Sequence, residues 1–202
     1  MLILGILIAG TTAPVANYFP LKPGTEWTYK VSFYRNLETA TQVNKVLDQR
    51  ELKGVTVTPM QVQVDKSDTQ TVFYGAKGEF ISILAQSETE LLPSPIPVLP
   101  LDPQKKKSFE FVGAVEFLGG LTPSTTKTKV NGLVKTTVLG QEKMALKVTR
   151  ETKLGGDKTK IEIKSTELYV DGMGLVFQRQ ETVGKDGGWA EYLLSDFKDG
   201  AH

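Results

Sequence analysis

Gly172 and Gly174, in the segment LYVDGMGLVFQ from Leu168 to Gln178, have the spacing of the first two glycines of a phosphate-binding loop. A dinucleotide site needs a third glycine three residues later, and then a helix whose N-terminus faces the pyrophosphate. Phe177 occupies that third position, and the surrounding run LVFQRQETV is typical of a strand. Asp171 followed by Gly172 instead favours a hairpin, because glycine adopts positive φ without a steric clash. We therefore predict a β-hairpin here and no nucleotide site.

Residues for acid–base, nucleophilic or metal chemistry are few. The chain has no cysteine and a single histidine, His202, so it offers no thiolate ligand and no internal imidazole to activate a serine. A glycosidase requires two positioned acids whose pKa values differ. Five glutamates could face one concave surface and supply such a pair: Glu110, Glu116, Glu162, Glu167 and Glu191. Their lysine and threonine neighbours favour solvated faces. We expect a protein that is not an enzyme and binds no metal or cofactor; a hydrolase using buried acids is the least favoured alternative.

Lysine and threonine are concentrated in two stretches, STTKTKV at 124–130 and KLGGDKTKIEIKSTE at 153–167. Lysines on exposed strands keep sheet edges from pairing with one another, which is the favoured interpretation, and an anionic partner surface is the alternative. Nucleic acid is not expected, because the net charge is only +1 and few aromatic side chains accompany these lysines.

Aromatic residues could supply a site for an apolar ligand. Trp27 with Tyr29, and Phe109 with Phe111, stand two residues apart, which puts each pair on one face of a strand. A curved sheet lined in this way either packs on itself or encloses an apolar cavity. We predict these four residues as the binding site if a cavity exists, with a filled core as the alternative.

The elements that position these residues are strands. Apolar and polar residues alternate around Trp27, Met60, Phe109, Met144 and Ile161, and turn signals separate these runs, which predicts roughly ten antiparallel strands. The fold class is therefore all-β: a strongly curved sheet or incomplete β-barrel. Residues 37–52 favour a strand over a helix, and a helical turn is predicted within 82–92.

The segment LPSPIPVLPLDPQKKK, from Leu92 to Lys107, carries five prolines. Proline cannot donate a hydrogen bond to a neighbouring strand, so we predict a polyproline-like crossover and no strand here. It divides one β domain, 17–202, into halves of about 17–91 and 107–202, joined by a crossover at 92–106. A Pro-Leu-x-Pro sequence precedes an aromatic strand in each half, at Pro20 and at Pro100, which suggests two related halves.

Residues 1–16 resemble an export signal, because the apolar run from Leu2 to Ala9 is followed by small residues. That run is far shorter than the ~20 residues that span a bilayer. The sequence around Ile8 to Gly10 is similar to a lipoprotein signal, but Thr11 stands where the lipid-bearing cysteine would be. We expect export to the periplasm or outer cell envelope of a bacterium, without this lipid anchor and without a transmembrane span in the mature chain.

The segment YFPLKPGTEWTYKV, from Tyr18 to Val31, resembles the mature start of a group of uncharacterised exported bacterial proteins. Their pattern there is Tyr-Phe-Pro-Leu-x-x-Gly-x-x-Trp-x-Tyr. The segments VLGQEKMALKVTRE and ELYVDGMGLVFQRQ resemble later signatures of that group, so the resemblance extends from Tyr18 to about Tyr192. It implies a fold similar to the incomplete β-barrels of the LolA/LppX type, which can hold lipid or lipoprotein acyl chains.

Together these observations predict a non-enzymatic exported envelope protein that binds a lipid or another apolar ligand in its concave sheet. The alternative is a structural or accessory subunit of an envelope protein assembly, which would contact its partner proteins through exposed strand edges and the lysine- and threonine-rich strands.

Overall fold

The computed structural model describes residues 17–34, 39–117, 120–155, 161–184 and 187–200, except for the side chains of Glu116 and Phe117. The predicted export segment 1–16, with Thr11, and His202 lie outside the described residues.

The described residues form thirteen strands where the sequence predicted roughly ten. They are β1 (Glu26–Phe33), β2 (Thr39–Val46), β3 (Arg50–Leu52), β4 (Val55–Val64), β5 (Gln70–Lys77), β6 (Phe80–Ala85), β7 (Ile96–Pro100), β8 (Ser108–Phe117), β9 (Gly120–Val138), β10 (Gln141–Leu154), β11 (Ile161–Val170), β12 (Gly174–Val183) and β13 (Trp189–Lys198). The described part of the chain contains no helix that could cross a membrane.

Twelve strands form one antiparallel sheet in the order β7-β6-β5-β4-β2-β1-β13-β12-β11-β10-β9-β8, and β3 pairs only with β4. In this order β1 and β13 lie side by side in the middle of the sheet. The first half of the chain, β1 to β7, continues from β1 to one edge, and the second half, β8 to β13, leads from the other edge back to β13. The two halves meet where β1 pairs with β13. The sheet curls into a nearly closed barrel with β7 and β8 as its two edges, which confirms the predicted fold class.

The main core lies where the two halves meet. On β1, alternate residues Trp27, Tyr29 and Val31 are buried, as their spacing predicts, and they pack with Met60 of β4 and Leu194 of β13. A second cluster joins the halves across the barrel: Leu99 of β7 packs against Val130, Leu146, Val148 and Tyr169 of β9, β10 and β11. Burial of these side chains holds the curved sheet in its rolled shape.

Two predictions near the middle of the chain are wrong. The proline-rich segment contains strand β7, which pairs with β6 through the register Phe80↔Pro100 and Ser82↔Pro97. Proline is compatible with this strand because β7 lies at an edge of the sheet, where one row of N–H groups needs no partner. The helical turn predicted within 82–92 is not formed either, because Ser82 to Ala85 belong to strand β6.

The Gly172–Gly174 segment forms the predicted hairpin, joining β11 to β12. Both glycines have positive φ, 73° and 78°. Gly174 also lies against the core, since a Cβ added there would come within 3.1 Å of Pro20 Cδ and 3.4 Å of Trp27 Cζ2, whereas one added at Gly172 would meet nothing within 4 Å. Gly174 is therefore needed both for its backbone conformation and for close packing.

We expect Gly174→Val to lower the free energy of unfolding by more than Gly172→Val. Each substitution places a β-branched residue at positive φ, which costs about 1–2 kcal/mol, and only the change at Gly174 also crowds Trp27. Urea unfolding of the two variants measures the difference. Equal losses would show that packing at Gly174 contributes nothing.

Candidate functional site

The segment Asn17–Leu21, which we call the strap, occupies the concave side of the sheet near the β11–β12 hairpin. Its start is fixed by two hydrogen bonds: Asn17 N donates to Asp171 Oδ1 at 2.5 Å, and Gly172 N donates to Asn17 O at 2.9 Å. Phe19 packs on both core clusters and on the ring of Tyr74, with 5.2 Å between ring centroids. The strap therefore fills space that an apolar ligand would otherwise enter.

A small pocket of about 80 Å³ remains beneath the strap. Its walls are mainly apolar and aromatic: Phe19, Pro20, Trp27, Tyr29, Asn44, Met60, Tyr74, Gly174 and Leu175. Such a volume is about half of an engineered 150 Å³ cavity that accepts benzene, so it cannot hold an acyl chain while the strap is in place.

Hydrogen bonds to backbone carbonyls hold the two predicted β1 aromatics in this pocket. Trp27 Nε1 donates to Met173 O, and the Tyr29 hydroxyl donates to Leu175 O at 2.9 Å. Burial, together with the nearby Tyr74, raises the pKa of Tyr29, and burial raises the pKa of Tyr74 to about 12. Both phenols are therefore neutral at physiological pH and act as packing and hydrogen-bonding groups.

The structure does not bring the four predicted ligand residues together. Trp27 and Tyr29 are 4% and 3% exposed in the main core. Phe109 packs instead on Phe80, with 4.8 Å between ring centroids, and the ring of Phe111 lies over the backbone of Gly113. The pair on β8 therefore belongs to the edge of the sheet and does not line the pocket.

A buried charge cluster lies on the inner face of the second half. Arg150 Nε donates to both carboxylate oxygens of Glu167, at 2.9 and 3.1 Å, and Arg150 Nη1 donates to Thr128 Oγ1 at 3.0 Å. The hydroxyls of Ser165 and Tyr169 also donate to Glu167, at 2.9 and 2.7 Å. The two charged side chains are only 13% and 4% exposed.

Arg150 has a further partner across the barrel, because its Nη2 donates to the carbonyl oxygen of Val98 in β7. The guanidinium therefore connects edge strand β7 to the second half at a place where no strand ladder connects them among the described residues. We call this contact the Arg150 bridge.

The ionisation of Glu167 is set by opposing effects. Burial alone would raise its pKa, but the charge of Arg150 and hydrogen bonds from Arg150, Tyr169 and Ser165 together lower it. A carboxyl group with a lowered pKa is ionised at neutral pH and cannot serve there as a proton donor. Glu167 is therefore a structural carboxylate.

The prediction that the five glutamates lie on solvated faces is wrong for Glu167, because the inner face at this position is packed against β7. Glu110 is exposed, whereas Glu162 and Glu191 are half-buried. The strand period could have revealed Glu167, since it shares a face with Ile161, Ile163 and Tyr169. Arg150 likewise lies on the same face of β10 as Leu146 and Val148, and sequence analysis missed it.

The lysine- and threonine-rich stretches form part of a charge ladder on the outer face of the sheet. Lys127 of β9 lies opposite Glu151 of β10, Glu151 lies opposite Lys164 of β11, and Lys164 lies opposite Glu181 of β12. All four side chains are exposed. Opposite charges in directly facing positions stabilise neighbouring strands, so these lysines have a role within the sheet itself.

The edge formed by β8 is open. Val130 N donates to Lys107 O, so the alternation of an antiparallel ladder points the backbone N–H and C=O groups of Glu110, Val112 and Ala114 away from β9. Within the described part of the chain, no backbone hydrogen bond reaches these groups. They form a ready template for another strand.

The outer face of the β8–β9 hairpin is apolar beside this open edge. Val112 and Leu121 are each 72% exposed, and Ala114 lies opposite Pro123, both of them also exposed. We call these four residues the hairpin patch. Unpaired backbone and exposed apolar side chains therefore occur together at β8.

Comparisons with known proteins establish the fold. No protein-family model matches the chain, and no curated protein matches it. A crystal structure from Parabacteroides distasonis, described as a "putative lipoprotein", is 15% identical with a TM-score of 0.56 and covers 92% of this chain and 100% of its own. A second, from Bacteroides fragilis and described as a "putative exported protein with YmcC-like fold", is 11% identical with a TM-score of 0.53 and covers 91% and 99%. The proposed similarity to LolA/LppX-type barrels stays a prediction.

We expect Glu167→Gln to lower the free energy of unfolding at pH 7 by about 3 kcal/mol, because it leaves the Arg150 charge buried without its counter-ion. Because the pKa of Glu167 is lowered in the folded state, its ionised carboxylate contributes fully to the free energy of unfolding of the wild type above about pH 4.3. This contribution is lost as the pH falls through the folded-state pKa. The variant should therefore lose less stability than the wild type on acidification.

Urea unfolding between pH 3 and pH 7 measures both effects. Glu181→Gln is the matched control, since Glu181 pairs with Arg179 at 2.8 Å on the exposed face and its loss should cost less than about 1 kcal/mol. Equal effects of the two substitutions would contradict a structural role for the buried pair.

Proposed function

We propose that the protein is a non-enzymatic, exported protein of the cell envelope that acts by binding another protein at its open β8 edge. The observation that carries this proposal is the coincidence of unpaired backbone groups at Glu110, Val112 and Ala114 with the exposed hairpin patch. Main-chain hydrogen bonds at such an edge supply affinity, and the side chains beside it supply specificity.

A difference between the two sheet edges supports the choice of β8 as the binding edge: β7 is protected against pairing with another strand, and β8 is not. β7 is protected by Pro97 and Pro100 and by the Arg150 bridge. β8 contains neither proline nor lysine, the residues that commonly keep an edge strand from pairing. The two edges of one sheet thus differ in the way expected if β8 receives a partner.

The exported location is supported by the signal-like character of residues 1–16 and by the descriptions of the two proteins with the same fold. One of them is described as a lipoprotein and the other as an exported protein, in both cases as "putative". Neither description names a reaction, a ligand or a partner, so the partner-binding role rests on the β8 edge of this chain.

Val112→Pro should abolish partner binding without unfolding the protein. The Val112 N–H points away from β9, so proline removes a donor that the partner needs and leaves the β8–β9 ladder intact. Native mass spectrometry of the protein purified from its own cells, in wild-type and variant form, measures partner occupancy, and circular dichroism checks the fold.

Val112→Thr is the control for this experiment, because it keeps the backbone donor and should retain the partner. A partner that stays bound to a folded Val112→Pro variant would show that the β8 edge is not the binding surface.

A second candidate function is the binding of a lipid or another apolar ligand in the pocket beneath the strap. The observation that favours it is the pocket wall, part of which is the Phe19 ring on a short non-strand segment. A ligand larger than about 80 Å³ would have to displace this ring, so its affinity depends on how readily the strap leaves.

If this second function is correct, Phe19→Ala should bind a fluorescent fatty acid more tightly than the wild type, because the competing ring has been removed. Phe33→Ala is the control, since Phe33 is exposed and lies outside the pocket. Fluorescence titration measures affinity, and a thermal melt confirms that each variant is folded. Unchanged affinity in folded Phe19→Ala would exclude this pocket as a lipid site.

A further inference from the structure

We propose that the β8 edge selects an extended segment that places a lysine or arginine opposite Glu110 and an apolar or β-branched residue opposite Val112. This inference rests on the proposed function, because it specifies the chemistry of the partner that the open edge receives.

The charge ladder supplies the first argument. In register, the outer face reads Glu110 on β8, Lys127 on β9, Glu151 on β10, Lys164 on β11 and Glu181 on β12. The sign of the charge alternates from each strand to the next across five strands. A strand added beyond β8 continues this alternation if it carries a positive charge opposite Glu110.

The position of Glu110 makes the added charge favourable. Glu151 has a lysine directly opposite on each side, Lys127 and Lys164, whereas Glu110 faces only Lys127 among the described residues, in which β8 is the last strand of the sheet. Directly facing opposite charges attract and like charges repel. A basic residue on the incoming strand would therefore give Glu110 the two-sided environment that Glu151 already has.

The neighbouring positions define the rest of the partner sequence. Val112 is 72% exposed and faces Thr125 on β9, and Ala114 faces Pro123. A β-branched or apolar residue opposite Val112 would bury part of the hairpin patch, and such pairs are favourable across neighbouring strands. The preferred segment thus alternates an apolar and a basic residue on one face.

A second copy of this chain does not meet these requirements. Residues 108–117 of β8 include no lysine or arginine, and Lys106 just before β8 already pairs with Glu79 at 3.3 Å, so pairing β8 with β8 gives Glu110 no free positive partner. The other edge strand, β7, also has no basic residue, and Pro97 and Pro100 remove two of its hydrogen-bond donors. Neither sheet edge of a second copy matches β8, which points to a segment of a different protein.

Two synthetic peptides test the charge selection. The first is a capped peptide of sequence Thr-Thr-Val-Thr-Lys-Thr-Thr, which in antiparallel register with Ala114 to Ser108 sets its valine opposite Val112 and its lysine opposite Glu110. The second replaces that lysine with glutamate. Chemical-shift titration by NMR measures the affinity of each peptide and reports whether the amides of β8 are the ones that move.

We expect the wild type to prefer the lysine peptide by about fivefold at low salt, the upper range for one facing charge pair. The preference should decrease as salt is added. Glu110→Lys should reverse it, and Val112→Pro should bind neither peptide. Glu142→Lys, an equal charge change on β10 where Glu142 pairs with Lys135 at 2.9 Å, should keep the wild-type preference.

The outcomes separate this inference from the function on which it rests. If both peptides bind β8 equally well in the wild type and in Glu110→Lys, charge selection is wrong, while strand addition at β8 stands. If neither peptide binds the wild type, charge selection at this edge is overturned. Strand addition itself then fails only if Val112→Pro also leaves the cellular partner bound.

Discussion

Arg150 and the Leu99 cluster hold edge strand β7 against the second half, so the sheet rolls into a nearly closed barrel without a ladder between its two edges. In a closed barrel the first and last strands pair through backbone hydrogen bonds, but β7 contributes two prolines and pairs only with β6 in the described chain. One guanidinium donates to the Val98 carbonyl instead, while Leu99 packs on the opposite strands. A buried guanidinium is tolerated only beside a counter-ion, so Glu167, with Ser165 and Tyr169 around it, follows from the way the barrel closes.

This incomplete closure determines where the packed core and the unpaired backbone groups lie. Because β7 leans across the barrel and Phe19 fills the space near Trp27, the concave side around Trp27 is a packed core that leaves only a small pocket at that place among the described residues. Because β7 is covered by the Arg150 bridge and carries two prolines, the unpaired backbone of the described sheet is concentrated along β8. The interior therefore contributes mainly to stability, and the unpaired backbone groups of the described sheet lie along β8.

Sequence analysis predicted the fold class and the Gly172–Gly174 hairpin, because alternation and turn residues are local signals. It missed β7, since five prolines remove every local indication of a strand and only its position at a sheet edge makes one possible. It also missed Arg150 and placed Glu167 on a solvated face, because the burial of both depends on β7 crossing from the other half. Trp27 and Tyr29 were assigned to one site with Phe109 and Phe111, and the strand order places the two pairs apart. That order is not encoded in any single stretch of residues.

The pairing of β1 with β13 has a consequence for how the chain reaches its folded state. Each half is a succession of strands that mostly pair with their neighbours in sequence, so each can begin to form from local contacts. The ladder that joins them connects positions as far apart as Glu26 and Lys198, 172 residues along the chain. Closing so large a loop is costly in entropy and slow. The central ladder of the sheet therefore cannot form until β13 has been synthesised, which leaves the chain without its complete core for as long as synthesis is unfinished.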